Sequence, residues 1–330
     1  MHETLLIDKP GTFLGKKSRR VVVKTPDSTE EFPLLKIKEI NLVGTGISLS
    51  DDLVYQAVKQ EVQINFQDRL GRVYASIVSP FLNQTVATVR AQIGAEDTEK
   101  AAGLAKEIVL VKIANQEKLL RYFLKHQRVY YPTNAEKIGE LSNTLDSLGE
   151  QLLVTSFKPL NYHNQLFSFE GRASDSYWRG VKLLIGGKVD FPGRKGRGAK
   201  DLVNSLLNYG YAILYSRVLA ALLANGLLPF AGFLHKDRSG KSSLVLDIME
   251  IFRQKIVDET LLIFLNKKKL EPTLDQNTLF AFSQKVVERF SSTGRFVDNK
   301  NYTVEKIISL QVQGIAAYLR GNKNLNLVSL

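Results

Sequence analysis

The sequence predicts an α+β protein in which a small β-rich N-terminal domain, residues 1–80, precedes a larger all-α-helical C-terminal domain, residues 81–330. Three observations carry this prediction. Short alternating apolar runs between glycines and prolines, which are typical of strands, recur before residue 80. Beyond that point, apolar residues recur at helical spacing. The length of 330 residues is also enough for about two domains that each bury a core.

Residues 1–80 are predicted to contain one helix and five strands. The helix follows Ser50, whose hydroxyl can accept a hydrogen bond from the first helical turn, and it ends near Gln60. The strands are predicted at Thr4–Ile7, Thr12–Leu14, Arg20–Lys24, Ile37–Val43 and Arg72–Val78. This pattern indicates a compact, sheet-rich domain.

The rest of the chain is predicted to be helical. The segment Leu202–Ala224 is apolar on almost every side, so we expect it at the centre of a bundle. The most apolar stretch, Tyr209–Leu234, carries Arg217, Gly226 and Pro229, so we interpret it as buried helix and loop and not as a membrane span. Further helices are predicted at Glu96–His126, at Asn134–Leu153, from Glu170 through Tyr177, from about Leu244, and from Thr303 to before Gly321.

The composition narrows the classes of function. The 45 Lys and Arg against 33 Asp and Glu give a net charge of +12, of which +11 lies in residues 81–330. Such an excess favours a polyanion such as DNA or RNA, although many soluble proteins are basic without binding one. The absence of cysteine excludes disulfides, thiolate zinc sites, iron–sulfur clusters and thiol nucleophiles. With no apolar signal segment at the start, a reducing compartment, the cytoplasm, is predicted.

Two glycine-containing motifs are rejected as nucleotide sites. Gly240-Lys241-Ser242 matches the end of a phosphate-binding loop, but that loop requires glycine where His235 stands. The segment 44–46, GTG, begins like a dinucleotide fingerprint, but Leu49 occupies the position of its third glycine. Neither motif therefore indicates a nucleotide-dependent enzyme.

Asp247 and Glu250 form the most informative pair of acids. Their i, i+3 spacing places both carboxylates on one side of the helix that begins near Leu244, among apolar residues. Carboxylates set in apolar surface are costly unless a cation compensates them. That cation can be a metal ion, or Arg253 can neutralise Glu250 within an ordinary polar stripe, and the residues alone leave both interpretations open.

His235 and Glu170 are two further candidate ligands. A short loop joins His235 to the helix of Asp247 and Glu250, so its imidazole can fold back over both acids. A single histidine after an apolar run can equally be structural. Glu170 is predicted to open a helix through Ala173 and Tyr177. The alternative to a ligand role is that it merely complements the dipole of this helix.

The segment KVDFPGRKGRGAK, residues 188–200, is predicted to be a mobile loop that contacts phosphates. Its three glycines, and its cations against the one acid Asp190, indicate this role, and a solvated surface loop is the alternative. Lys236 and Arg238 add positive charge beside His235. The predicted DNA-binding residues are Arg194, Lys195, Arg197, Lys200, Lys236 and Arg238.

Several segments together resemble the CRISPR-associated integrase/endonuclease family, which captures new spacers. They are EGRASDSYW at 170–178, NSLLNYGYAIL at 204–214, GLLPFAGFLH at 226–235, SLVLDIMEIFR at 243–253, KIANQ at 112–116 and GISLSDDLVYQAV at 46–58. The resemblance covers essentially the whole chain. The fold of the family, a β-rich domain followed by a helical domain, agrees with the fold predicted above.

The resemblance implies a metal-dependent DNA endonuclease and integrase with its catalytic site in the helical domain. Glu170, His235 and Glu250 are then the ligands of a divalent metal, and Asp247 is a second acidic catalytic residue beside them. Carboxylate and imidazole ligands suit Mg²⁺ or Mn²⁺. The resemblance also implies a prokaryotic cytoplasmic protein that forms a homodimer through the β-rich domain. The implied partners are double-stranded DNA, as captured fragment and CRISPR repeat, and a small CRISPR-associated protein of the adaptation complex.

The reaction implied is a transesterification in which the 3′-hydroxyl end of captured DNA attacks the CRISPR repeat. If water attacks instead, the same site hydrolyses DNA. Two alternatives are a structure-selective nuclease of branched DNA in repair and a non-catalytic DNA-binding scaffold. Integration assays with and without the small partner distinguish the first alternative.

Overall fold

In the computed structural model the chain forms two compact units, Met1–Leu82 and Asn83–Leu330. The structure describes residues 3–60, 62–68, 73–77, 85–196, 198–267, 275–322 and 324–330. The boundary predicted from the sequence lies two residues earlier, between 80 and 81. The first unit is rich in strands and the second is mainly helical, which confirms the predicted α+β fold class.

The first unit contains two four-stranded sheets and one helix. In chain order, its elements are β1 Glu3–Ile7, β2 Phe13–Lys17, β3 Arg20–Lys24, β4 Thr29–Pro33, β5 Ile37–Val43, β6 Ser48–Leu49, α1 Asp51–Lys59, β7 Gln63–Gln67 and β8 Val73–Ile77. One sheet has the order β1-β5-β7-β8, in which β8 alone is antiparallel to its neighbour. The other has the order β4-β3-β2-β6, in which β2 and β6 are parallel.

The two sheets share one apolar core. Leu14 and Val21 of one sheet pack with Ile40 and Ile64 of the other, and Leu53 of α1 joins them. The predicted cap of α1 is confirmed, because the Ser50 hydroxyl accepts a hydrogen bond from the backbone N–H of Leu53 at 3.3 Å. Strands β4 and β7 were not predicted. TEEFP lacks the apolar alternation that marks a half-buried strand, whereas QINFQ has it at Ile64 and Phe66 and was overlooked.

The second unit is a helical assembly. Its elements are α2 Thr85–Ile93, α3 Glu99–Tyr130, α4 Pro132–Val154, α5 Tyr162–Ile185, α6 Leu202–Ala224, α7 Ser243–Met249, a π-helical segment Gln254–Asp258, α8 Glu259–Lys267, α9 Gln276–Phe290, β9 Thr293–Arg295, β10 Asn301–Thr303 and α10 Val304–Leu319. Helices α3, α4 and α5 pack on one another, and α6 packs against α7, α9 and α10. Strands β9 and β10 form a hairpin.

The start of α5 differs from the sequence prediction. Glu170 does not open this helix but lies in its middle, because α5 begins at Tyr162. Tyr162 and Leu166 are both buried at i, i+4 spacing, so the apolar face that continues through Ala173 and Tyr177 already exists in the first turns. The dipole role considered for Glu170 is therefore wrong, since a residue in mid-helix is far from the positive end.

Helix α6 is long and largely apolar. By length and composition it is the single helix in the described ranges that is suited to crossing a membrane, but 56% of its most apolar window is buried inside the protein. Its Arg217 is also buried and lies 3.3 Å from Glu305 of α10. A core helix of a soluble protein has these properties, as expected from the sequence.

Candidate active site

Asp247 and Glu250 lie where α7 ends. Asp247 is in the last turn, and Glu250 directly follows the final helical residue. The backbone N–H of Glu250 donates to the carbonyl of Asp247 at 3.2 Å, so both acids lie within one turn. Leu244, Ile248 and Ile251 bury this segment, and as a result Asp247 is fully buried and Glu250 is 6% exposed. Two carboxylates at this depth require compensating donors or charges.

The carboxylate of Asp247 accepts four hydrogen bonds from one short turn. Its Oδ2 accepts from the backbone N–H of Phe233 at 2.7 Å and of Leu234 at 2.9 Å. Its Oδ1 accepts from the backbone N–H of His235 at 3.0 Å and from the His235 ring at 2.7 Å. Asp247 is therefore the residue that fixes His235 and its turn onto α7.

His235 presents its Nδ1 to Asp247, and this contact decides its tautomer. Because a carboxylate accepts from Nδ1–H, the neutral ring carries its proton there and keeps a lone pair on Nε2. The imidazole is partly exposed. The close approach of the turn depends on Gly232, where a Cβ would lie 2.6 Å from Cβ of Ser243 and 2.7 Å from the carbonyl oxygen of His235.

Helix α5 brings Glu170 towards the same turn. Tyr162 donates to the carbonyl of Phe233 at 2.6 Å, and the ring of Phe167 packs edge-on against His235 at 6.0 Å between centroids. Glu170 lies one turn beyond Phe167 on this helix, and its Oε1 accepts from the Ser174 hydroxyl at 2.8 Å. The first half of α5 thus docks on the histidine turn.

Lys112 of α3 joins the two glutamates. Its Nζ contacts Oε1 of Glu170 and lies 2.7 Å from Oε2 of Glu250. Burial lowers the pKa of Lys112, but the two carboxylates outweigh burial and hold the pKa above its ordinary value. Lys112 was quoted from the sequence only within the KIANQ motif and was assigned no role. A lysine in the middle of a long apolar helical stripe was the signal that could have identified it.

Glu250 is strongly stabilised as a carboxylate. Burial raises its pKa, but Arg253 and Lys112 outweigh this effect and lower the pKa to about 2. Arg253 lies 3.3 Å from Oε1, as the alternative of a local Arg–Glu pair anticipated. Apart from the 2.7 Å ion pair of Oε2 with Lys112, this buried oxygen has no polar partner in the described part of the chain. It is therefore able to ligate a cation.

The cluster fits a divalent cation by its donor types. Glu170 and Glu250 share one positive group, the buried Oε2 of Glu250 has Lys112 as its ion-pair partner, and His235 offers Nε2. Oxygen atoms with one imidazole are ligands that suit Mg²⁺ or Mn²⁺. Across the described ranges, no three His, Asp or Glu side chains stand in an arrangement ready to hold an ion. The structure thus brings Glu170 and Glu250 together around Lys112 and pairs His235 with Asp247, without a finished cage among the described residues.

A buried acid next to this cluster was missed from the sequence. Asp258, at the end of the π-helical segment, accepts from Tyr177 at 2.7 Å and from Tyr211 at 2.5 Å. Burial raises the pKa of Asp258 to about 6 despite these hydrogen bonds. The guanidinium of Arg253 lies 4.7 Å from the centroid of the Tyr211 ring, which links this acid to Glu250. π-helical segments are rare and recur at functional sites.

The loop of residues 188–200 is anchored on α6. The buried Asn204 accepts from the backbone N–H of Lys195 at 2.8 Å and donates to the carbonyl of Gly193 at 2.8 Å. Arg194 donates to Asn204 at 3.0 Å and to Asn208 at 2.8 Å. Arg194 therefore holds the loop, which departs from the mobile loop expected, and its DNA contact stays a prediction.

The remaining predicted cations divide into two groups. Lys195 and Lys200 are exposed on the anchored loop. Lys236 and Arg238 are exposed in the turn after His235, next to the acidic cluster. Arg197 lies outside the described residues. These placements leave exposed cations available for phosphate contacts near the acidic cluster, which is an arrangement expected of a nuclease.

The family model described as CRISPR associated protein Cas1 matches residues 5–280. A CRISPR-associated endonuclease Cas1 of Archaeoglobus fulgidus is 30% identical over 97% of both chains. A CRISPR-associated endonuclease Cas1 of Francisella tularensis subsp. novicida is 32% identical over 97% of this chain and 96% of its own length. The chain belongs to the Cas1 family, which confirms the predicted family and the prediction of an endonuclease.

Solved structures agree with the fold. A casposase bound to integration product has a TM-score of 0.78 at 21% identity, covering 99% of this chain and 93% of that one. A Cas1 protein from Thermotoga maritima has a TM-score of 0.77 at 20% identity, and the match covers 98% of this chain and 99% of that one. A chain of a Cas6-RT-Cas1–Cas2 complex has a TM-score of 0.77 at 19% identity, covering 99% of this chain and 36% of that one. At these identities the similarity shows the shared fold.

Proposed function

We propose that this Cas1 endonuclease is a metal-dependent integrase of CRISPR adaptation that joins 3′-hydroxyl ends of captured DNA to the CRISPR repeat. One observation carries the proposal. Glu170 of α5 and Glu250 at the end of α7, which are distant in sequence, meet around a single cationic group beside a histidine that Asp247 orients. Paired carboxylates with one imidazole are a donor set for metal-assisted phosphodiester chemistry.

Each side chain of the cluster has a distinct role in this proposal. Glu170, Glu250 and Nε2 of His235 would hold Mg²⁺ or Mn²⁺, which supplies polarisation of the phosphodiester and acidification of the attacking hydroxyl. A pKa of about 2 keeps Glu250 ionised at neutral pH, so it binds a cation without first losing a proton. Asp247 accepts from Nδ1, so in the neutral ring Nε2 carries the lone pair that a metal requires.

Strand joining and hydrolysis use the same groups. In joining, the oxygen of a 3′-hydroxyl forms a new bond to a repeat phosphorus while the bond from that phosphorus to the repeat 3′-oxygen breaks, and the repeat strand leaves with a free 3′-hydroxyl. In hydrolysis, water takes the place of the attacking hydroxyl. Since the chemistry is shared, the DNA held in line with the phosphodiester decides the product.

The proposed partners follow from charge and from similar proteins. The net charge of +12 and the exposed Lys195, Lys200, Lys236 and Arg238 suit a DNA backbone. One similar structure is described as a casposase bound to integration product, and another as a Cas6-RT-Cas1–Cas2 complex. We therefore propose double-stranded DNA and a small CRISPR-associated protein as partners. The β-rich unit is the proposed dimer contact, and the prokaryotic cytoplasm is the proposed location.

Glu170→Gln and Glu250→Gln test the proposal. We expect each to lower strand transfer by about 100-fold or more, the scale of losing one preorganised electrostatic group. DNA affinity should persist, because phosphate contacts dominate it. Glu288→Gln is the matched control, since Glu288 is exposed on α9 and pairs only locally with Lys285 at 2.7 Å.

The assay uses a labelled DNA fragment, a repeat-containing duplex, the small partner and Mn²⁺. Full strand transfer by Glu250→Gln would contradict the proposed site. Nicking without joining by the unmodified protein, with partner and free 3′-ends present, would instead indicate a hydrolytic nuclease.

A further inference from the structure

The KIANQ motif contributes three buried polar side chains to one face of α3. Lys112, Asn115 and Gln116 are spaced i, i+3 and i+4, and none is more than 6% exposed. Asn115 donates to the carbonyl of Ile251 at 2.7 Å, directly after Glu250. This face of α3 therefore holds the segment that carries Glu250 and presents Lys112 to it.

Lys112 is the cation that contacts both glutamates. Its Nζ touches Oε1 of Glu170 and lies 2.7 Å from Oε2 of Glu250. Arg253 pairs with Glu250 through the other oxygen, Oε1, at 3.3 Å. The ammonium thus neutralises the same oxygens that a divalent cation would need. The flexible four-carbon stem of lysine lets the ammonium withdraw without any movement of α3.

We propose that Lys112 competes with the divalent metal for the carboxylates of Glu170 and Glu250, and so sets the metal concentration at which the site loads. This inference rests on the proposed metal-dependent function. A metal that takes these oxygens must displace the ammonium or share them with it, and the two positive charges repel each other. When no metal is bound, Lys112 compensates the partly buried Glu170 and shares the buried Glu250 with Arg253.

A purely structural ion pair predicts a different response. Removing such a pair lowers stability and leaves metal affinity unchanged or weaker. Removing a competitor lowers the stability of the metal-free protein and strengthens metal binding, because ligand linkage couples the two states. If Lys112 competes with the metal, its removal lowers the stability of the metal-free protein and raises the metal affinity. If Lys112 is only structural, its removal lowers the stability and does not raise the metal affinity.

The test compares Lys112→Met and Lys112→Gln with Lys106→Met in the full chain. Lys106 is a matched control, since it lies on the same helix but donates to the carbonyls of Leu153 and Thr155 at 2.8 and 2.9 Å. Mn²⁺ affinity is measured by calorimetry, and Tm is measured in EDTA and in saturating Mn²⁺.

Both Lys112 variants should bind Mn²⁺ at least about tenfold more tightly, which corresponds to about 1.4 kcal/mol. In EDTA their Tm should fall by roughly 5–15 °C, the scale of breaking a buried pair. Mn²⁺ should raise their Tm by more than it raises that of the unmodified protein. Lys106→Met should lower Tm equally in both conditions and leave Mn²⁺ affinity unchanged.

Unchanged or weaker Mn²⁺ binding by both Lys112 variants would overturn the inference. Variants that fold only when Mn²⁺ is present would support it, and variants that do not fold even with Mn²⁺ would overturn it, because the metal should replace the missing charge. If the unmodified protein binds no Mn²⁺, or if Glu250→Gln leaves binding intact, the proposed metal site fails as well. If Glu250→Gln abolishes binding but the Lys112 variants match the unmodified protein, only the competition fails.

Discussion

Replacing Asp247 with Asn changes the group that orients the histidine. The substitution keeps the shape of the side chain but exchanges two accepting oxygens for one acceptor and one NH₂ donor. In the native protein Oδ1 accepts from the backbone and ring of His235, and Oδ2 accepts from the backbone of Phe233 and Leu234. If the NH₂ takes the position of Oδ2, the backbone N–H groups of Phe233 and Leu234 lose their acceptor. If it takes the position of Oδ1, the backbone N–H of His235 loses its acceptor and the ring must accept instead of donate. In both cases two of the four native hydrogen bonds to the carboxylate are lost.

The expected cost follows from these four contacts. Two hydrogen bonds to a charged acceptor are lost at about 1.5–3 kcal/mol each, or about 3–6 kcal/mol in the free energy of unfolding. Because Asp247 is fully buried, water cannot replace them. At about 2–4 °C per kcal/mol, Tm falls by roughly 6–24 °C.

The effect on the reaction comes through the imidazole. An NH₂ group facing Nδ1 requires that nitrogen to accept, which moves the ring proton to Nε2 and removes the lone pair available to a metal. In a serine-protease triad the same Asp-to-Asn exchange costs about 10⁴ in kcat. We expect Asp247→Asn to lower strand transfer by about 10²- to 10⁴-fold at a temperature where it remains folded.

Three measurements check this expectation. Chemical denaturation gives the free energy of unfolding, ¹⁵N shifts of the imidazole report the tautomer of His235, and the strand-transfer assay gives the rate. Asp175→Asn is the control, because Asp175 is exposed on α5 and its contact with Arg179 at 3.6 Å is local. The reasoning is refuted if Asp247→Asn keeps native activity, or loses activity while His235 keeps its proton on Nδ1.

Two further predictions concern Asp258 and the anchored loop. The pKa of Asp258 is about 6 in the folded protein against an ordinary 3.8, so the folded state retains a proton that the unfolded state has lost. The free energy of unfolding should thus fall by up to about 3 kcal/mol as pH rises between these values. Asp258→Asn should remove this pH-dependent fall in the free energy of unfolding, which urea titrations at several pH values measure. If the free energy of unfolding of the variant depends on pH as steeply as that of the unmodified protein, the prediction is wrong. Lys195→Ala with Lys200→Ala should weaken DNA binding and reduce the slope of log affinity against log salt by up to about 2, whereas Arg194→Ala should chiefly lower Tm. An unchanged slope in the double variant would remove these lysines from the interface.

Much of the site could be anticipated from local pattern. The i, i+3 spacing of Asp247 and Glu250 places both acids on one side of one helix, and the short connection to His235 restricts where the imidazole can go. That α7 ends at Met249, between the two acids, was not predicted. The different roles of Asp247 and Glu250 could not be predicted from the sequence. Asp247 orients His235 and Glu250 takes the cations because the turn at 233–235 folds onto one side of α7 and α3 packs beside Glu250.

The sequence by itself determined the α+β organisation, most of the helices and the types of side chain in the site. It could do so because periodicity, caps and residue spacing act over a few residues. Only the tertiary structure decided which buried charges meet. Lys112 lies between two acids, Arg194 hydrogen-bonds to Asn204 of α6, and the pKa of Asp258 is raised. None of these could be predicted locally, because burial and ion pairing depend on which helices pack together.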